Sequence, residues 1–302
     1  MSCKIDVLII GGSHAGLSAA MALGRLRRSV LIVDAGKPRN EMSEHANNIA
    51  GLDGINPEEL RKQAINDLKK YKTIEFLKGK VNKVLKKKDL FIATLDSGAI
   101  VEARKVILSY GVKDKLLNID GIEKVWGKSV FHCPYCHGYE YKDKRIGFIG
   151  NGQFAEHIVP MLFSLSRDIT IFTTGPEEFS DELKEKLKNN RIKVYREPII
   201  GFEMSSDVLS GLVLKDKELV AIDATFAGPI FPMLTNSSIA EELGCENNEM
   251  GFIAVDNMGM TSVEGVYAAG DIMTMRHSVV GAMATGQIAG SAIVSVLVNE
   301  DF

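Results

Sequence analysis

The chain repeats one arrangement twice: an apolar strand, a tight glycine turn, a helix rich in small residues and a second strand. The first copy is "KIDVLIIGGSHAGLSAAMALGRLRRSVLIVDAG". Residues 5–10 form the β-branched run that a strand buried on both faces of a parallel sheet requires. Gly11, Gly12 and Gly16 make the turn, "LSAAMALGRL" the helix and "SVLIVD" the next strand. Asp34 ends that strand, 18 residues after Gly16. From this position an acid hydrogen-bonds a ribose hydroxyl in a dinucleotide-binding fold. Ser13 stands where the second glycine of G-x-G-x-x-G belongs. Serine is the next smallest choice, and its hydroxyl can bond a phosphate.

The second copy is "KRIGFIGNGQFAEHIVPMLFSLSRDITIFTTG", with Gly150, Gly152 and Ala155 in the three small positions and Thr173 where Asp34 stands in the first. A third stretch, "VEGVYAAGDI", is a strand that ends at Gly270 and Asp271, before a long helix containing "AMATGQIAGSAIVSVL". A carboxylate at a strand end beside a helix N-terminus suits a flavin's ribityl chain and phosphate. "KVILSYG" is one more strand, ending at Gly111. These pieces are far apart, so one domain interrupts the other. The predicted fold is α/β, with two dinucleotide-binding (Rossmann-like) three-layer domains. The first takes residues 1–112 and 238–302, and the inserted one 113–237. The crossover falls in "GVKDKLLNIDG" and the return in "GPIFPMLTNSS", whose two prolines suit a linker.

Between the two copies lies "FHCPYCHGYE", with Cys133, Cys136, His132 and His137. Zinc is disfavoured there: a structural site usually needs four ligands, and Cys3 and Cys245 are isolated, without a second CxxC or an HxxxH. "MSCKIDVLII" is charged and runs directly into the first turn, so no secretory signal is expected. No apolar run approaches the length of a membrane span, and no membrane partner is expected. The cytoplasm is then the expected compartment, where structural disulfides are rare and a CxxC is more often catalytic. A net charge of -3 gives no global attraction for nucleic acid. The basic stretch "KVNKVLKKK" is interrupted by apolar residues at strand spacing and predicts a solvated edge strand. "EFSDELKEKLKNN" predicts a polar amphipathic helix with a solvated face.

In this order, "IIGGSHAGLSAA", CPYCHG, "IGNGQFAE" and "GVYAAGD" resemble the low-molecular-weight thioredoxin reductases and their relatives, the flavin-dependent dithiol oxidases. The resemblance covers nearly the whole chain. It implies FAD in the split domain, NADPH or NADH in the inserted one, a redox-active Cys133–Cys136 disulfide and a homodimer. It assigns Gly11, Gly12, Ser13, Ala15 and Gly16 to the FAD pyrophosphate and Asp34 to the ribose. Arg39, Asn40 and Asn48 fall in a loop wrapping the flavin, and Val81 meets the adenine. Gly111 belongs to the same FAD set. Gly270 and Asp271 meet the ribityl and phosphate, and His277, Ser278 and Val279 lie near the isoalloxazine. Gly150, Gly152 and Ala155 belong to the NAD(P)H turn. By the same resemblance Cys136 faces the flavin and Cys133 exchanges with the substrate, a thioredoxin-like protein or a small dithiol or disulfide.

The chain departs from the reductases at two places. His137 stands where they usually carry Asp, as in the dithiol oxidase branch. An imidazole titrates near neutrality and suits an acid–base partner for the thiols. After the second strand of the inserted domain, "FTTGPEEF" has no arginine for a 2′-phosphate, and Glu177 and Glu178 would repel one. Thr173 and Thr174 are not the acid that selects NADH. Two enzymatic directions therefore stand open: a reductase fed by NAD(P)H, and an oxidase fed by a dithiol that passes electrons to oxygen. A non-catalytic flavoprotein redox sensor is the reading from another class.

Overall fold

The computed structural model describes residues 3–206, 208–228 and 233–302. The chain divides into two compact units. Unit 1 comprises Met1–Glu41, Asn56–Lys113 and Pro232–Phe302; unit 2 comprises Met42–Ile55 and Asp114–Phe231. This differs from the expected division in two ways. Residues 42–55 join unit 2, because their polar side chains bond to the CxxC segment. The return falls earlier than 238, because a short strand at Leu234–Thr235 pairs with Val112–Lys113. The proline linker expected at 229–232 lies outside the described residues.

Unit 1 begins with β1 (Cys3–Ile10), α1 (His14–Arg25), β2 (Val30–Asp34), α2 (Pro57–Leu68) and β3 (Ile74–Lys78). A meander follows: β4 (Val81–Lys87), β5 (Leu90–Leu95) and β6 (Ile100–Leu108), then the short β7 (Val112–Lys113). The sheet order is β3-β2-β1-β6-β5-β4. The strands from β3 to β6 run parallel, while β5 and β4 are antiparallel additions. The lysine-rich β4 is the edge, as its pattern predicts: Val81 and Val84 are buried and its lysines face solvent. Apolar residues of β1 and β2 alternate between two cores. Leu8, Ile10, Leu31 and Val33 point into one, and Val7, Ile9, Val30 and Ile32 into the other.

Unit 2 holds α3 (Ile122–Val125), β8 (Val130–Phe131), α4 (Pro134–His137), β9 (Ile146–Ile149), α5 (Gly152–Leu165) and β10 (Ile169–Phe172). After these come α6 (Asp181–Asn189), β11 (Lys193–Tyr195), β12 (Ile199–Ser205), β13 (Val208–Leu214), β14 (Leu219–Ala221) and β15 (Ala224–Ala227). A parallel sheet in the order β11-β10-β9-β15-β8 has α5 and α6 packed on one side. The antiparallel β12-β13-β14 packs on the other. Each unit thus has the three layers that an α/β sheet needs to bury both faces.

The chain returns to unit 1 through β16 (Leu234–Thr235), α7 (Ile239–Leu243), β17 (Val266–Ala268) and α8 (Val279–Asp301). β17 runs parallel to the end of β6 and completes the seven-stranded sheet. α8 corrects the expectation that no segment reaches a membrane span. It has 23 residues and is apolar enough, by length and composition, to cross a membrane. One face packs on α1, where Gly286 and Gly290 lie so close that a Cβ would come within 2.0 Å of the Ala15 carbonyl oxygen and 2.6 Å of that of Ala19. The small residues seen in both helices exist for this approach. Val280, Ile288, Val296 and Val298 lie on the exposed side.

Candidate redox site and its cofactor cradle

In unit 1 the first glycine turn connects β1 to α1. Gly11 takes φ +106°, and a Cβ there would lie 2.3 Å from the Ser109 carbonyl oxygen, so only glycine fits. Ser13 has φ −99°, ordinary for any residue, which explains why serine is tolerated where the motif has glycine. Its side chain makes no capping bond to α1, and the first turn carries no acid. The open N–H groups and positive end of α1 are the features that receive a pyrophosphate. Ala15, Gly16 and the imidazole of His14 are buried in this first turn. Burial, then the Arg61 guanidinium, pushes His14 below its usual pKa, with Asp271 opposing, and its Nδ1 has no hydrogen-bond partner.

Asp34, at the end of β2, is tied directly to the turn. Its Oδ1 accepts from the Gly12 N–H at 2.9 Å, and its Oδ2 accepts from the Gly36 N–H at 3.1 Å and from Arg61. Arg61 also donates through Nε to the Gly12 carbonyl at 3.1 Å. Arg61 carries no mark in the sequence, because nothing local separates it from the other polar residues of α2. A guanidinium that donates once to the turn and once to the carboxylate joins α2, the turn and the strand end, and fixes the carboxylate that the cofactor ribose requires.

Gly270 follows β17 with φ +82°, and its missing side chain leaves room for Ala15, whose Cβ would be 3.1 Å from a Cβ at 270. Gly270 and Asp271 are therefore brought to the first turn. Arg39 binds Asp271 Oδ2 at 3.2 Å and His277 Nδ1 at 2.6 Å. A guanidinium can only donate, so Nδ1 accepts, and the proton of neutral His277 is on Nε2, facing the Asp271 carbonyl at 3.2 Å. Burial first, then Arg39, lowers the His277 pKa, while Asp271 raises it. With both nitrogens committed, His277 is a wall of the cradle rather than a proton carrier. Ser278 caps α8 by accepting from the Gly281 N–H, and Val279 begins that helix. Val81 is buried in β4, and Gly111 takes φ +67° after β6. Asn40 lies in the turn after Arg39. Asn48 is grouped with unit 2, where its N–H donates to Asp53. The uncapped α1 terminus, the fixed Asp34 and the Gly270–Asp271 corner fit an FAD.

In unit 2 the second turn is differently dressed. Gly152 takes φ +55° and opens α5, and Ala155 is fully buried beneath it. Asn151 Oδ1 accepts from the Gly152 N–H at 3.1 Å and from the Glu178 N–H at 2.9 Å, and its Nδ2 donates to the Pro176 carbonyl at 2.7 Å. The 174–178 loop is thereby clasped over the start of α5, and the Glu178 carboxylate lies 3.7 Å from where a Cβ on Gly152 would stand. Glu177 pairs with Arg196 at 2.6 Å. The Thr173 hydroxyl donates to the Gly175 carbonyl at 2.6 Å, with the Tyr195 carbonyl farther off at 3.3 Å.

Cys133 and Cys136 are joined in a disulfide at the start and within α4, with Cα atoms 5.3 Å apart. Gly138 follows because nothing larger fits: a Cβ would meet the Pro134 carbonyl oxygen at 2.4 Å. His137 stacks on Phe131 with ring centroids 4.3 Å apart, and His132 stacks on Trp126. His137 Nε2 is 2.8 Å from Ser43 Oγ, while Nδ1 is buried without a partner. Burial, with the nearby His45, pushes the His137 pKa down to about 4, so the ring is neutral near pH 7. Asn47 Nδ2 donates to the Cys136 carbonyl at 2.8 Å. Ser43 and Asn47 were not legible in the sequence, where they are polar residues of a loop some ninety positions away. Cys245 is a free, partly buried thiol, and no group of three or more metal-ligating side chains occurs among the described residues.

The family model for pyridine nucleotide-disulphide oxidoreductases matches residues 5–286. The thioredoxin reductase tcpT of Claviceps purpurea is 33% identical over 297 residues, 95% of this chain and 92% of that protein. Among solved structures, HlmI superposes with a TM-score of 0.93 at 34% identity, covering 99% of this chain and 94% of that one. The putative thioredoxin reductase TrxB of Bacillus anthracis gives 0.93 at 29% identity, covering 99% and 100%. On the two glycine turns, the disulfide and these matches, the chain belongs to the pyridine nucleotide-disulphide oxidoreductase family and is an FAD oxidoreductase of the thioredoxin-reductase-like group.

Proposed function

We propose that this chain oxidises a dithiol, with electrons entering through Cys133–Cys136 rather than through a nicotinamide nucleotide. The observation that carries this reading is the clasp over the second glycine turn. Asn151, Pro176 and Glu178 fill the helix terminus where a dinucleotide's phosphates would dock, and a carboxylate stands at its mouth. Such a group disfavours an anion at that position. The neutral His137 next to Cys136 supports the same direction, since thiol attack on a disulfide requires a base. Bound FAD would supply the two-electron acceptor that reoxidises the cysteines, with oxygen as the final acceptor. The protein's own part is to bind the dithiol at the exchanging sulfur, Cys133, to remove its proton, and to hold Cys136 as the leaving thiolate. The retained small residues of the second turn favour a competing reading, a reductase fed by NAD(P)H and acting on a thioredoxin-like partner.

One experiment separates the two. The yellow holoenzyme is mixed anaerobically with NADPH, NADH or dithiothreitol while flavin absorbance is followed. Bleaching by dithiothreitol and not by either nucleotide is the expected result. Rapid bleaching by a nucleotide at micromolar concentration would instead make the inserted unit the electron entry.

A further inference from the structure

The proton bookkeeping around His137 fixes more than its charge. Ser43 Oγ has one hydrogen and two neighbours: the His45 carbonyl oxygen at 3.0 Å and His137 Nε2 at 2.8 Å. A carbonyl only accepts, so the Ser43 hydroxyl is the donor of that pair, and its single proton is assigned to His45. With that proton so placed, Ser43 Oγ meets His137 as an acceptor and the imidazole proton lies on Nε2. The remaining nitrogen, Nδ1, carries a lone pair, is shielded from solvent and has no hydrogen-bond partner. An unpaired acceptor in such a place is costly unless it has a task. The stacked Phe131 ring prevents the imidazole from tilting to find another partner.

We propose that Ser43 is a positioning residue that holds His137 as its Nε2–H tautomer, leaving the Nδ1 lone pair as the proton acceptor for thiol attack on the Cys133–Cys136 disulfide. This rests on the dithiol reading above. In the first step a substrate thiol gives its proton to Nδ1 while its sulfur bonds to Cys133. The Cys133–Cys136 bond breaks, and its electron pair leaves on Cys136 as a thiolate. In the second step the other substrate thiol attacks the mixed disulfide. The substrate departs with its own S–S bond, oxidised by two electrons, and its last proton passes to Cys133. Burial keeps the imidazole neutral while the enzyme disulfide is closed. Cleavage creates a thiolate on the adjacent residue, so imidazolium and thiolate arise as a pair, which lowers the cost of either charge alone. Asn47, in the same 42–55 segment as Ser43, donates to the Cys136 carbonyl and holds the main chain of the leaving cysteine.

The test uses the holoenzyme with ¹⁵N-labelled histidine, the His137 signals being assigned from His137→Gln. Long-range ¹H–¹⁵N spectra of the oxidised protein should show His137 protonated at Nε2. Ser43→Ala should shift it toward the Nδ1–H form or a mixture, and should slow anaerobic flavin bleaching by dithiothreitol by roughly tenfold or more. Ser43→Thr, which keeps the hydroxyl, should restore both. An Nδ1–H ring in the unaltered protein overturns the proposal, as does Ser43→Ala that keeps both tautomer and rate, or that changes the tautomer without changing the rate. If dithiothreitol fails to bleach the unaltered enzyme, the dithiol reading itself fails and takes this proposal with it. The tautomer spectrum distinguishes that failure from a wrong assignment of Ser43.

Discussion

Three histidines, one buried and two half-buried, share one electrostatic condition although only one adjoins the disulfide. His14, His137 and His277 all have pKa values pushed below the usual 6.5, in each case chiefly by burial. A group whose folded pKa lies below its unfolded value binds more protons unfolded than folded across the interval between them. Its stabilising contribution is therefore intact above about pH 6.5 and is lost as pH falls through the folded value, which for His137 is about 4. Stability measured by urea unfolding should be level from pH 8 to 7 and should decline below 6.5. Each such histidine adds a slope of at most about 1.4 kcal/mol per pH unit. His137→Gln should make the decline shallower, whereas an unchanged slope would show that the imidazole is already protonated in the native state. The sequence drew attention to His137 because it follows the CxxC. It gave no reason to expect its neutrality, which depends on Phe131, Ser43 and His45 converging around it.

At the level of elements, the first-turn cradle depends on how closely α8 approaches α1. A side chain at Gly286 would point at the backbone of Ala15, the residue that also meets Gly270. Main chain cannot yield as a flexible side chain can. Gly286→Ala should therefore destabilise the protein by about 1–3 kcal/mol, the range for overpacking a filled core. It should also weaken FAD retention, because α1 must move to accept the methyl group. Thermal unfolding together with flavin release on gel filtration checks both, and a variant with unchanged melting and full flavin would remove the close-contact argument. The same helix shows the limit of composition. Its 23 residues are apolar enough for a bilayer by length and composition, yet the fold uses the small side as an intramolecular contact.

For the whole molecule, the unused side of α8 bears on assembly. Val280, Ile288, Val296 and Val298 are exposed on one helix, and exposed apolar side chains of this kind suit association with a second copy. We expect a homodimer by light scattering, and we expect Ile288→Glu to convert it to monomer while leaving the far-ultraviolet circular dichroism unchanged. A dimer that survives the charge would place its interface elsewhere.

The sequence by itself determined the α/β class, both glycine turns, the order of the elements and the CxxC. All of these are written in short-range spacing: continuous apolar runs, small residues where backbones touch, and an acid at a strand end. It also marked Asp34, Gly270 and Asp271, because a turn and a strand end have fixed chemical partners. Only the tertiary structure decided that Arg61 clamps Asp34 and that Glu178 stands at the second turn. Only it showed that residues 42–55 belong with the disulfide unit. Those contacts join positions remote along the chain, and a polar residue in a helix or loop carries no local mark of what it will meet after folding. Ser43 is the clearest case: its hydroxyl acquires a role only when the fold brings it within 2.8 Å of a ring 94 residues away.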